Sequence, residues 1–239
     1  MSLKLAVVGH GKMGQELESV ARERGHQAVI VKRGDAFPAD AAVGIDFTNA
    51  GAVLGNVQAA LAAGARVVVG TTGWEAQRGD VERAVAAANG GLVHAANFSL
   101  GVNLFYRVVK HAAALLTAFP AYDPYILERH HRMKKDAPSG TAKALAAILE
   151  ATPGAQKKAQ SSLEGGLPQG VFHVAALRAG GIVGEHTVGF DSGGDEILLE
   201  HRARTRRGFA LGSVLAAEWI ATRTGFFSFD TVLDDLLRR

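Results

Sequence analysis

The chain has no cysteine among its 239 residues. That removes disulfides, thiolate catalysis and cysteine zinc sites together. No apolar run approaches the roughly 20 residues that a membrane-spanning helix needs. No secretory apolar region stands ahead of the first strand-like segment, so a cytoplasmic address and no membrane partner are expected. Charge of one sign is scarce: 26 Lys and Arg stand against 23 Asp and Glu, a net +3 with His neutral. Such a balance suits a small anionic ligand better than a polyanion. No aromatic residue interleaves with the basic clusters Lys157-Lys158 and Arg202 to Arg207. Without stacking groups beside the cations, nucleic-acid binding is not expected. Internal repeats and low-complexity tracts are also missing. What is left, 48% hydrophobic and 21% charged, is an ordinary globular composition, long enough for one large core or two small ones.

The N-terminal hundred residues alternate strand and helix patterns, with strands expected at 3–8, 27–32, 43–47, 66–70 and 91–95 and helices at 12–24, 51–63 and 75–88. Alternation of this kind predicts an α/β fold, a Rossmann-type parallel sheet with helices on its faces. The link Arg33 to Ala42 is too short for a full helical crossover, and a loop is expected there. Directly after the first strand comes Gly9-His10-Gly11-Lys12-Met13-Gly14, followed by a helix-like segment. Strand, glycine turn and helix in that order match the dinucleotide fingerprint G-x-G-x-x-G. Gly9 permits the turn, Gly11 lets backbone approach a pyrophosphate, and Gly14 lets the helix pack on the strand. A phosphate-only P-loop is excluded, because Lys12 lacks its glycine spacing and no Ser or Thr follows it.

Beyond Ser99 the pattern changes. A helix is expected at about 101–118, a strand at 122–130, a helix at 140–151 and a polar, mobile loop at 152–170. Three consecutive strand patterns follow near 171–179, 182–190 and 195–204, then two helices at about 208–223 and 230–238. Strands without intervening helices imply a mixed or antiparallel sheet, hence a second, α+β domain. The expected division is a dinucleotide-binding domain of 1–100 plus 208–239 and a substrate-binding and oligomerisation domain of 101–207.

The densest chemistry lies in Glu128-Arg-His-His-Arg-Met-Lys-Lys-Asp-Ala-Pro-Ser-Gly-Thr141. Ser139 is a natural N-cap for the helix-forming run Ala142 to Glu150, which leaves the amides of Gly140 and Thr141 unpaired. A helix start with free amides among cations is an anion site. His130 and His131 add proton transfer near neutral pH. Paired histidines among basic residues also occur in solvated loops, and position at a strand end does not by itself separate the two readings.

Together these segments resemble the dihydrodipicolinate reductases of lysine and diaminopimelate synthesis over nearly the whole chain. The resemblance rests on Gly9 to Gly14, Gly70-Thr-Thr-Gly-Trp74, Ala95 to Asn103, Glu128 to Thr141 and Gly181-Ile-Val-Gly-Glu-His-Thr187. It implies an oxidoreductase that uses NADPH or NADH to reduce a cyclic unsaturated imine dicarboxylate. His130 would be the acid/base group and Lys134 the second proton donor. His131, Ser139, Gly140, Thr141 and Arg206 would contact substrate. Gly70, Thr71, Thr72, Ala95, Ala96, Asn97 and Phe98 would form cofactor loops. It also implies a homotetramer built through the second domain's sheet.

Cofactor choice is read from residues about 20 beyond the glycine turn, where NAD-specific sites carry an acidic residue. Here Lys32 and Arg33 stand instead, able to neutralise a 2′-phosphate, so NADPH is expected to be preferred; otherwise both simply reach from a strand end into water. No metal is expected: His130, His131 and Glu128 could supply ligands, but the two histidines, as neighbours on an extended segment, point to opposite faces. Glu185-His186 reads as ordering a strand, and Asn49-Ala50 after Asp46-Phe-Thr48 departs from the family's basic-Pro pattern.

Overall fold

The computed structural model describes residues 2–238. In chain order the elements are β1 Lys4–Val8, α1 Lys12–Glu23, β2 Gln27–Val31, β3 Val43–Asp46, α2 Val53–Ala62, β4 Arg66–Val69, α3 Arg78–Ala87 and β5 Gly91–His94. There follow α4 Leu100–Leu116, β6 Asp123–His130, α5 Gly140–Glu150, β7 Lys158–Gln160, β8 Val171–Arg178, β9 Glu185–Asp191 and β10 Glu196–Arg202. The chain closes with α6 Arg207–Ile220, β11 Gly225–Ser228 and α7 Phe229–Leu237. It divides into two compact units, Met1–Leu100 with Arg206–Arg239, and Gly101–Thr205.

The first unit holds a six-stranded sheet in the order β11-β5-β4-β3-β1-β2, parallel throughout. Its strands are nearly continuous in Val, Leu and Ile because both faces are covered. Leu5, Val7, Ile45, Val68 and Val93 pack against Leu17 of α1 and Val214, Ala217 and Ile220 of α6. The opposite face, Val67, Val69 and Leu92, meets Val53, Val57 and Leu61 of α2 and Val81 and Val85 of α3. No helix lies between β2 and β3, as the short link predicts; Phe37 from that link packs on Ala6, Val31 and Ala41. β1 has β2 on one side and β3 on the other, so the direction of winding reverses there. That reversal opens a crevice at the strands' carboxyl ends.

One element of this unit departs from the sequence reading. Gly225–Ser228, expected to be a link between two helices, is β11, a sixth strand paired with β5. Four residues carry no usable periodicity; the strand state comes from the partner edge.

The second unit has a five-stranded mixed sheet, β10-β9-β6-β8-β7. β6 runs parallel to β8 and antiparallel to β9. One face carries Ile126, Val174, Val188, Phe172 and Phe190 against Phe105 and Val109 of α4 and Leu145 and Leu149 of α5. The polar stretch 152–170, expected to be a mobile loop, contains β7, a three-residue edge strand on β8. Glu150 holds it by accepting the Ala159 amide at 2.8 Å. The second of the three expected late strands begins at Glu185, because Gly180 to Gly184 turns instead of extending.

Candidate active site

At the end of β1, Gly9 has φ +88°, a conformation that favours glycine, and its amide donates to Val31 O at 2.8 Å. A side-chain carbon at Gly14 would collide with Gly9 O. α1 can therefore start directly on the turn only because Gly14 has none. Its N-cap, Gly11, offers no side-chain acceptor, and the helix start is exposed. His10 is turned along α1 to within 3.4 Å of Glu18. Lys12 is exposed, and Met13 packs against the core.

Beside this turn lies a cleft of about 500 Å³, lined among others by Gly9, Lys32, Arg33, Asp35, Thr48 and Asn56. Lys32 and Arg33 are exposed and make no ion pair among the described residues. The loop's acidic residue is engaged elsewhere: Asp35 accepts the Lys32 amide at 2.8 Å. Across the cleft Asp46 is buried and accepts from the Thr48 amide and hydroxyl at 2.8 and 2.7 Å, Asn56 at 2.8 Å and the Thr71 hydroxyl at 3.0 Å. This carboxylate holds the loops after β3 and β4, a role the sequence reading did not give it.

In the loops expected to hold cofactor, Gly70 lies under the Phe47 ring, which leaves no room for a side chain. Thr71 is buried in the Asp46 network, and its carbonyl accepts from Trp74 Nε1 at 2.8 Å. Thr72 and Ala96 are exposed and Ala95 is half-buried. Asn97 accepts the Ser99 amide at 2.8 Å and shapes the turn. The Phe98 ring is fully buried between Phe47 and Phe229, so its side chain belongs to the core and only its backbone is left to face a ligand. Arg206, expected on the substrate side, groups with the first unit at the N-terminus of α6, where it shares a cleft with Lys12 and Gln15.

In the second unit the chemistry gathers at the end of β6. Residues two apart on a strand share a face, so Glu128 and His130 both turn to the helix-covered side. Pairing adds His186 of β9 opposite Glu128 and Arg178 of β8 opposite His130. Ser139, the N-cap of α5, closes the group. Glu128 is 0% exposed. Its Oε1 accepts from the Ser139 amide at 3.0 Å and Arg178 Nη2 at 2.7 Å, and its Oε2 stands 3.3 Å from His130 Nδ1 and 3.7 Å from His186 Nε2. Burial pushes the Glu128 carboxyl up, but His186, Ser139 and Arg178 around it outweigh that and hold it well below the usual range. His130, 7% exposed, is pushed down to about 4, first by burial and against the pull of Glu128. It is therefore neutral at pH 7.

Ser139 Oγ accepts the Ala142 amide at 3.1 Å, while the amides of Gly140 and Thr141 donate to no acceptor among the described residues. The helix start is open, as the sequence reading expected of a turn able to hold an anion. Lys134 pairs with Asp136 at 2.7 Å, in a turn closed by its amide to His131 O, and His131 is half-buried. Glu128, His130 and His186 have ligand-type atoms all within 4.8 Å. Arg178 takes one Glu128 oxygen and the Ser139 hydroxyl lies 3.2 Å from His186 Nε2, whereas Glu128 Oε2 and His130 Nδ1 are buried with no hydrogen-bond partner among the described residues. Arg178 was given no role from sequence, His186 only that of ordering a strand, and Glu128 only that of a ligand for a metal that is not expected. The two-residue period of β6 points to Glu128; the other two depend on strand register.

A parallel sheet with a glycine turn and a crevice at its switch point, joined to a unit bearing a buried histidine and a helix start with open amides, defines the two-unit dehydrogenase class of nicotinamide-dinucleotide oxidoreductases. The comparisons narrow it. Residues 21–98 match the family described as "Dihydrodipicolinate reductase, N-terminus", and residues 101–233 match "Dihydrodipicolinate reductase, C-terminus". The 4-hydroxy-tetrahydrodipicolinate reductase of Archaeoglobus fulgidus is 40% identical over 92% of this chain and 88% of its own length. That of Christiangramia forsetii is 33% identical over 99% and 100%. The chain belongs to the dihydrodipicolinate reductase family and is an oxidoreductase. A dipicolinate-bound dihydrodipicolinate reductase from Paenisporosarcina sp. TG-14 shares the fold, with TM-score 0.77 at 23% identity over 97% of this chain and 99% of that one. An engineered D-amino acid dehydrogenase bound to NADP+ is more distant, with TM-score 0.54 at 15% identity over 100% and 99%.

Proposed function

We infer that this chain catalyses the NAD(P)H-dependent reduction of 4-hydroxy-tetrahydrodipicolinate to tetrahydrodipicolinate, a step of lysine and diaminopimelate synthesis. The observation that carries the reading, beyond family membership, is a neutral, buried His130 on the same unit as the open amides of Gly140 and Thr141. The first unit fits a dinucleotide: Gly14 leaves the space a side chain would fill, the start of α1 is open, and Lys32 and Arg33 are unengaged. A bound nicotinamide supplies the hydride. The chain's own residues do the rest. Ser139 to Thr141 hold a substrate carboxylate, His130 moves a proton, and Lys134 and His131 neutralise and orient a dicarboxylate, with Lys134 as second proton donor. Turnover of the pathway intermediate by purified protein, followed by loss of reduced-cofactor absorbance, tests this; no turnover with either cofactor would overturn it.

Three finer proposals go with it. NADPH is preferred over NADH, on the strength of Lys32 and Arg33. The enzyme is a homotetramer joined through the second unit's sheet, whose uncovered face carries Leu177 and Leu198, 43% and 53% exposed. Its place is the cytoplasm, on the metabolic role alone.

A further inference from the structure

β6 and β8 stay zipped one step past their ends: Ala179 N donates to His130 O at 2.9 Å and Arg132 N to Gly180 O at 3.2 Å. The chain then leaves the sheet as the loop Met133 to Pro138 and returns at Ser139, the N-cap of α5. A loop that presents a cation to a ligand must be tied down first, because each free residue adds an ordering cost to binding. Locally, Lys134 N turns back to His131 O at 3.1 Å and Lys134 Nζ meets Asp136 at 2.7 Å. Beyond this turn the loop makes one hydrogen bond to another element among the described residues: Asp136 O accepts from Arg178 Nη2 at 2.5 Å. The same Nη2 donates to Glu128 Oε1 at 2.7 Å, and Nη1 donates to Leu177 O at 2.9 Å. Glu128 Oε1 also accepts the Ser139 amide at 3.0 Å. One buried oxygen therefore holds the returning chain twice, at Ser139 directly and at Asp136 through Arg178.

We propose that Arg178 is a positioning residue: it clamps Asp136 to Glu128 and so fixes Lys134 at a set distance from the open amides of Gly140 and Thr141. Two anion-holding groups at fixed spacing favour a rigid dicarboxylate over a monocarboxylate or a flexible diacid. The inference rests on Lys134 and the Ser139 to Thr141 turn being the substrate groups. An arginine suits the task, because its charge is permanent and its planar fork is preorganised. One Nη2 hydrogen serves Glu128 and the other is left for the loop.

The test uses the full chain and two readings, steady-state kinetics and limited trypsin digestion. In Arg178→Ala the substrate KM should rise about 10-fold, the loss of one charge-assisted hydrogen bond, with unchanged KM for the cofactor and a smaller change in kcat. Trypsin cleavage after Lys134 and Lys135, followed by fragment mass, should quicken while the rest of the chain resists as before. Removing Arg178 alone leaves the Glu128 charge buried and unpaired. The double variant Glu128→Gln, Arg178→Met avoids this and keeps an oxygen for the Ser139 amide. It should show the same two changes, and it decides if Arg178→Ala does not fold. Unchanged loop cleavage, or faster loop cleavage with wild-type substrate KM, overturns the proposal. So does an equal rise in both KM values with faster cleavage throughout the chain, which would make Arg178 a general support of the fold. A wild-type substrate KM in Lys134→Ala would instead remove the reading on which the proposal rests.

Discussion

Glu128 and His130 stand two residues apart on one strand, and the pleat turns both to the helix-covered face, where Oε2 and Nδ1 lie 3.3 Å apart. The carboxylate favours the charged form of the imidazole, against the larger effect of burial.

Replacing His130 with Gln keeps the size and removes the titrating nitrogen. kcat should fall about 10²- to 10⁴-fold, the usual cost of losing a general acid–base group. Cofactor affinity by fluorescence titration should hold, because the glycine turn is on the other unit. His131→Gln should lose less. Near-wild-type turnover in His130→Gln would remove the histidine from its role.

Gly184→Ala tests the space beside His130 Nε2. The new methyl would stand 3.1 Å from it, close enough to push the ring a few tenths of an ångström. Thermal melts should change little, while kcat falls about 10-fold, since displacements of about 1 Å near the chemistry can cost 100-fold. Equal kcat in a correctly folded variant would show that the gap is not used.

Acid should destabilise the second unit in two overlapping stages. His130 has an ordinary value of 6.5 and is pushed down to about 4 in the fold, so between those values the unfolded chain binds more protons. Its contribution is complete above pH 6.5 and is lost as pH falls toward 4. Glu128, held below its ordinary 4.5, adds a loss with the same sign that begins below that pH. Calorimetry from pH 8 to 4.5 should show Tm declining from near 6.5, and His130→Gln should flatten that decline. Parallel curves for the two proteins would contradict it.

Lys32→Glu should move the ratio of kcat/KM for NADPH over NADH. One charge-assisted hydrogen bond contributes about 1.5–3 kcal/mol, roughly 10- to 100-fold in affinity. Steady-state kinetics at low salt measure it. A wild type that favours NADH, or a mutant whose ratio stays put, would show that Lys32 and Arg33 do not read the phosphate.

What the sequence made legible is what local pattern encodes. β1 with its glycine turn, the apolar strands β3 and β4, and the Ser139 cap all fall where propensity and spacing put them. β7 and β11 were not legible, because three or four residues become strand only beside a partner edge. The same limit hid His186 and Arg178: they reach Glu128 and His130 by cross-strand register, which no single segment records. Phe98 lay within a cofactor-loop motif, yet its ring fills the core between Phe47 and Phe229.

Asp46 has a consequence for engineering. Donors from the β3 loop, the β4 loop and α2 all end on this one carboxylate, so the two loops are a single mechanical piece. Exchanging either loop alone for that of a relative would strand part of the shared set of donors. Transplants that alter cofactor handling in this family should therefore carry residues 46–56 and 70–74 together, as one cassette.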